Sequence, residues 1–151
     1  MIRKVAMMLV LLTWSLTLAT VAGATPPQSV TINTTKQIHS ATGTWSAVGA
    51  IADLGTFTLL QLHESALPAP AFVITHVTYE FVSNLGTFTL KAEIRDTFTT
   101  VPGFFTDQGT WVIRQGTGAY ATLQGQGAVV GFIDHANNLV NRTYSGDVHF
   151  H

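Results

Sequence analysis

The stretch Gly109–Gly127, GTWVIRQGTGAYATLQGQG, restricts what this chain can fold into, because five of its nineteen residues are glycine. Glycine in an element interior costs roughly 0.5–1 kcal/mol, so it is retained where the backbone needs φ > 0 or passes close to another segment. The pattern predicts a strand over Thr110–Gln115 and a break at Gly116-Thr117-Gly118. One short helical turn within Ala119–Gln124 follows, and then a second strand entered through Gly125-Gln126-Gly127. Trp111 and Tyr120 are the large side chains available to pin this corner.

The start of the chain reads as an address. Arg3 and Lys4 precede the apolar run Val5–Leu18, and Ala22-Gly23-Ala24 is a small-x-small site before Thr25-Pro26-Pro27. This is the layout of a secretory signal peptide over 1–24, cleaved after Ala24, and it predicts a secreted or periplasmic protein. The apolar run is shorter than the roughly 20 residues of a spanning helix. From Thr25 onward there are five basic and eight acidic residues, a formal net charge of −3. No basic stripe suits nucleic acid, and no basic amphipathic helix suits a membrane surface once the leader is gone. With no cysteine in the chain, the exported fold has to rest on burial and hydrogen bonding, which a closed sheet supplies.

The mature part is rich in Thr, Val, Phe, Ile and Gly, with turn residues at short intervals, and reads as all-β. Residues 25–41 are expected to form an N-terminal arm, with an edge strand within Ser29–Ile38, and 42–151 the β-domain. Leu54-Gly55-Thr56-Phe57-Thr58-Leu59 recurs as Leu85-Gly86-Thr87-Phe88-Thr89-Leu90, thirty-one residues on. Two similar hairpins follow: Gly43–Ile51 with Thr56–Glu64 across an Ala52-Asp53 turn, and Ala71–Val82 with Thr87–Thr97. Ser65–Pro70 is the loop between them.

Register can be read from side-chain parity, since a one-residue slip moves every side chain to the other face. A four-residue loop at Ser83–Gly86 puts Phe81 opposite Phe88, Tyr79 opposite Leu90, Val77 opposite Ala92 and Thr75 opposite Ile94. The other face then carries Glu80, Thr78, His76 and Ile74 opposite Thr89, Lys91, Glu93 and Arg95. Apolar partners fall together and should face inward. A polar turn at His135–Asn138 likewise pairs Ile133 with Val140, Gly131 with Arg142, Val129 with Tyr144 and Gly127 with Gly146. Arg142 thereby lies on an otherwise apolar face, with Gly131 opposite leaving room for its guanidinium. Seven or eight antiparallel strands result, and closing them into a barrel removes the exposed edges. Barrels of about eight strands have room inside for side chains or one small ligand.

The residues Gly116-Thr117-Gly118-Ala119-Tyr120 and Gly125-Gln126-Gly127 resemble the corner of the allene oxide cyclase and dirigent barrels. With Gly86–Leu90, Gly109–Trp111 and Tyr144–Gly146 in the same order, the chain over about Thr42–Phe150 is similar to small secreted bacterial proteins of that barrel type. The resemblance implies a single eight-stranded antiparallel up-and-down β-barrel whose lumen can hold a hydrophobic molecule. In the plant members the barrel steers a reactive intermediate to one cyclised or coupled product. Their lumen residues do not align onto this chain, so what transfers is fold and not catalysis. Gly116, Gly118, Tyr120, Gly125 and Gly127 are structural corner residues in this reading. Related barrels associate as dimers or trimers, which makes a homodimer or homotrimer an expectation here.

Five residues are candidates for lumen contacts with a ligand: Arg142, Tyr144, Tyr79, His63 and Asp96. An inward arginine is costly unless paired, and Asp96 shares a face with Ile94 and Ala92 and could pair with it. The guanidinium could hold a carboxylate or enolate, or it could close a structural salt bridge. His63 shares strand parity with Phe57, Leu59 and Gln61. Tyr120, Trp45 and Trp111 read as packing. His149 and His151 share a strand face, but no third ligand is fixed by spacing, so no metal is assigned. There is no nucleophile elbow, and the Gly-Thr-Gly corner lacks the Lys-Ser/Thr of a phosphate loop. The reading is a secreted barrel that binds a hydrophobic small molecule without a cofactor, with a cyclase or isomerase as the enzyme it would be. The alternative is a structural or interaction barrel with a filled core, and its mark would be exposed apolar residues such as Leu60, Leu62 and Ile74.

Overall fold

The computed structural model describes residues 25–66 and 72–151. Eight strands follow in chain order: β1 (Gln28–Lys36), β2 (Thr42–Gly49), β3 (Asp53–Ala66), β4 (Phe72–Val82), β5 (Thr87–Phe98), β6 (Phe104–Gly116), β7 (Leu123–Asp134) and β8 (Leu139–Phe150). Each is antiparallel to its chain neighbours, and β8 returns to β1, so the sheet is a closed barrel. The predicted signal peptide, 1–24, and most of the predicted Ser65–Pro70 loop lie outside the described residues; Ser65 itself belongs to β3.

Both register arguments hold. Phe81 opposes Phe88, Tyr79 opposes Leu90 and Thr75 opposes Ile94 between β4 and β5. Ile133 opposes Val140, Gly131 opposes Arg142 and Val129 opposes Tyr144 between β7 and β8. The inward faces are buried and the outward ones exposed, which is what alternation on a one-sided sheet demands.

The segment expected as an arm or edge strand is a wall of the barrel. β1 pairs with β2 on one side and β8 on the other, and Val30, Ile32 and Thr34 face the core. On its outer face the closing seam is held by two reciprocal pairs: Thr143 donates to Asn33 at 2.8 Å and Thr35 donates to Asn141 at 2.7 Å. The first hairpin also turns earlier than expected: β2 ends at Gly49 and not Ile51, and Asp53, expected in the turn, already pairs with Ala47.

A β-bulge changes one strand. Between Leu59 and Gln61 the pairing of β3 with β4 shifts by one residue, leaving Leu60 without a partner. Parity inverts beyond it, as an inserted residue must cause. His63 therefore opposes the outward His76, and the expectation that it faces the lumen with Phe57 and Leu59 is corrected. Leu62 now opposes the inward Val77, yet it remains half exposed, because β3 here runs past the end of β2.

Two tryptophans use one device at two places. Trp45 on β2 donates its indole N–H to the Thr56 and Val82 carbonyls at 3.1 and 3.2 Å, on the next two strands. Trp111 on β6 does the same to Ala128 and Ser145 at 3.0 and 3.3 Å. Both follow a Gly-Thr pair in sequence, and both indoles lie over a glycine, Gly55 and Gly127 respectively. A Cβ at Gly127 would run into the Ser145 carbonyl and the Trp111 ring. The predicted helical turn is a 3-10 turn at Gly118–Tyr120, entered through Gly118 at φ 58°. Tyr120 is buried and packs edge-on against Phe88 at 5.3 Å.

Candidate functional site

The lumen divides into an aromatic half and an ionic half. In the aromatic half Phe81 and Phe88 stack at 4.8 Å, and Trp45 meets both edge-on at 5.6 and 5.4 Å. Phe57 stacks on Phe81 at 5.5 Å and meets Tyr79 edge-on at 5.2 Å. Offset and edge-on contacts of this kind are the favoured geometries of aromatic pairs. At its rim the Tyr120 hydroxyl donates to Asp53 Oδ2 at 2.5 Å, tying the corner to the start of β3. Burial and that carboxylate push the Tyr120 phenol up to about 12. Asp53 is held below its ordinary value: its slight burial acts upward, but hydrogen bonds from Ser83, Tyr120 and the Leu54 N–H outweigh it.

The ionic half centres on Arg142, whose side chain is 7 % exposed. Its Nε donates to Asp107 Oδ2 at 2.7 Å, and its NH1 donates to the Tyr79 hydroxyl at 3.0 Å. Its NH2 stands 3.7 Å from Asp96 Oδ1. Thr75 donates to Asp96 Oδ2 at 2.6 Å, and Thr34 donates to the Arg142 carbonyl at 3.2 Å. Four strands, β4, β5, β6 and β8, thus meet at one guanidinium, and β1 holds the Arg142 backbone through Thr34. Gly131 makes this possible, since a Cβ there would overlap the Arg142 side chain.

The charges do not balance. Asp96 and Asp107 are direct partners across β5 and β6, so two buried carboxylates share one arginine. Asp96 Oδ1 and Asp107 Oδ1 are both buried without a hydrogen-bond partner. Burial, opposed by the charge of Arg142 and helped by that of Asp96, lifts the Asp107 carboxyl to about 6. Burial works against the charge on Arg142, but Tyr79, Tyr144 and Asp107 outweigh it, and its pKa lies above the ordinary value. Tyr79 and Tyr144 are both raised, chiefly by burial, with Arg142 pulling the other way.

Of the five sequence candidates, Arg142, Tyr79 and Asp96 come together as read, and Tyr144 is buried within reach of the Arg142 charge. His63 does not join them. Asp107, the closest ion-pair partner of Arg142, was not among the candidates. Its signal was in the sequence: it lies four residues before Trp111 on β6, on the same strand face. A guanidinium already engaged by Asp107 and Asp96 is poorly placed to hold the carboxylate of a ligand.

Among the described residues, clefts open on the outer wall of the barrel. One of about 730 Å³ crosses β3 to β6 and is lined by Leu60, His63, His76, Lys91, Glu93 and Val112 among others. Another of about 880 Å³ crosses β6 to β8, with Arg114, Gln126, Asp147 and His149 in its lining. The two share Thr110–Val112 and form one trough. A third, of about 420 Å³, lies over the β1–β8 seam. His76 Nδ1 is 3.8 Å from Glu93 on this outer face, both well exposed, an ordinary solvated pair. His149 and His151 bring their Nε2 atoms to 3.0 Å, but among the described residues no group of three or more such side chains is placed to hold a metal ion. No protein-family model, curated protein or solved structure matches the chain.

Proposed function

We propose that this chain is an exported, non-catalytic interaction barrel, with its lumen serving as the core and its partner, a second copy of the chain included, seated on the outer trough. The observation that carries this reading is the occupancy of the lumen: stacked aromatic rings fill one half, and the Arg142 cluster bridges the other. Among the described residues these clefts lie on the outer wall, and Leu60 and Leu62 stand half exposed beside the β3–β6 part of the trough. Kinship with the allene-oxide-cyclase and dirigent barrels belongs to this proposal as an explanation of the fold, not of a reaction.

A second reading is favoured by one observation. The two unpartnered carboxylate oxygens in the lumen are what a hydrophobic ligand with a hydroxyl or amine head would satisfy. In that case the chain is a small-molecule barrel, with a cofactor-free cyclisation or isomerisation as the chemistry to test.

Amide NMR separates the two. Titration with fatty-acid-derived and polyketide ligands should leave the amides of Tyr79, Ile94 and Tyr144 unmoved. Saturable shifts at those positions would sink the filled-core reading in favour of the second. For the outer wall, Val112→Arg and Thr78→Arg, both half-buried on the outward face, should abolish partner binding or self-association by sedimentation while the melting temperature falls only slightly, since outward-facing side chains can swing into solvent and surface substitutions usually cost about 0.5 kcal/mol.

A further inference from the structure

The orphaned oxygens of Asp96 and Asp107 have a simpler occupant than a ligand. Each carboxyl has one oxygen satisfied: Asp107 Oδ2 by Arg142 and Asp96 Oδ2 by Thr75. The other oxygen of each, Oδ1, has no hydrogen-bond partner. The two residues are cross-strand partners, and their side chains are 0 % and 10 % exposed. One positive charge faces two carboxylates, and like charges this close cannot both ionise cheaply in a buried site. A hydrogen placed on one Oδ1 and directed at the other provides a donor and an acceptor at once.

We propose that Asp96 and Asp107 hold one proton between them, and that its loss is a built-in pH response that loosens this end of the barrel. The proposal is independent of what the outer trough contacts. The charged and titratable groups around the pair are Arg142 and Tyr144 from β8, Tyr79 from β4 and Lys36 from β1. Lys36 Nζ donates to the carbonyls of Gln37, Ile38 and Ser40 in the β1–β2 loop. Burial, then the charge of Arg142, lowers its pKa. Glu64 on β3 opposes Thr75 but is exposed at the rim, and His135, also exposed, packs on Phe105 at 5.4 Å. Arg142 NH2 stands 3.7 Å from Asp96 Oδ1, beyond hydrogen-bond reach, and neither Oδ1 atom has a hydrogen-bond partner among these groups.

The direction of the effect follows from linkage. A carboxyl whose folded pKa is raised binds its proton more tightly folded than unfolded. Its contribution to stability is complete below the unfolded carboxylate pKa of about 4. That contribution is lost as pH climbs to the folded value of about 6, and stability is level above. Asp53 and Asp134, whose pKa values are lowered, act in the opposite sense but below this window.

Urea unfolding between pH 4.5 and 7.5 reads the effect directly. The unfolding constant of the wild type should rise by up to about tenfold per pH unit until near pH 6 and then flatten. Asp96→Asn supplies the missing N–H permanently, so it should remove that slope and exceed the wild type in stability at pH 7.5. The histidines are common to both proteins and cancel in the difference. A slope unchanged in Asp96→Asn, or a wild-type stability that is constant or rises across the window, would overturn the proposal. If the variant fails to fold, carboxyl-carbon NMR of the wild type decides. Two aspartate signals moving together near pH 6 support the shared proton, and all aspartates titrating below pH 4.5 refute it. Native mass spectrometry supplies a further refutation: an adduct on the folded wild type, absent from Asp96→Asn, would place a bound molecule where the proton is proposed.

Discussion

The aromatic and ionic halves of the lumen are equally buried and fail in different ways. In the aromatic half each ring has several neighbours, so losing one leaves the others in contact. In the ionic half every group depends on Arg142, whose loss strands two carboxylates away from water. Packing is therefore distributed in one half and concentrated on a single side chain in the other.

The largest effect should come from removing that side chain. Arg142→Leu leaves Asp96 and Asp107 uncompensated and should cost about 3–5 kcal/mol by urea denaturation. Adding Asp96→Asn and Asp107→Asn to it should recover much of the loss, because the penalty lies in unpaired charge and not in missing volume. No recovery in the triple variant would mean that the ionic half is held by shape, as the aromatic half is.

Phe81→Ala comes next, at about 3–4 kcal/mol. Phe81 is fully buried and contacts Trp45, Phe57 and Phe88, so the cost is transfer energy plus a residual cavity. This loss should vary little from pH 5 to 8. A pH-dependent loss would show that the halves are coupled through Tyr79, which touches both.

The smallest contrast is between two phenols. Tyr79→Phe removes a buried acceptor from a charged donor and should cost about 1.5–3 kcal/mol. Tyr120→Phe breaks a bond to Asp53 at the exposed rim, where water can replace it, and should cost about 1 kcal/mol. The reverse order in thermal melts would place the stronger anchor at the Gly-Thr-Gly corner.

Much of this architecture was legible because hairpins are local. A polar four-residue turn and strict alternation left one register that kept Phe81, Tyr79 and Val77 together, and the same logic put Arg142 inside. What parity could not supply was anything requiring a non-local partner or an irregular backbone. The bulge at Leu60 has no signature in Leu59-Leu60-Gln61, yet it turned His63 outward. β1 looked like an edge because its second neighbour, β8, is more than a hundred residues away. Asp107 was missed for a milder reason: the β5–β6 turn around Val101–Gly103 was not placed, so β6 was never set against Asp96.

The paired indoles have a consequence for how the barrel assembles. Trp45 bridges partners 11 and 37 residues away, and Trp111 bridges partners 17 and 34 residues away. Each bridge closes a three-stranded meander, β2–β4 or β6–β8, using contacts of modest sequence separation. The seam between β1 and β8 instead joins residues 108 apart at the Thr34–Arg142 contact. Loop-closure entropy makes such a contact the slower one to form. Two indole-bolted half-shells can thus form early, with the rate of folding set by the moment they meet.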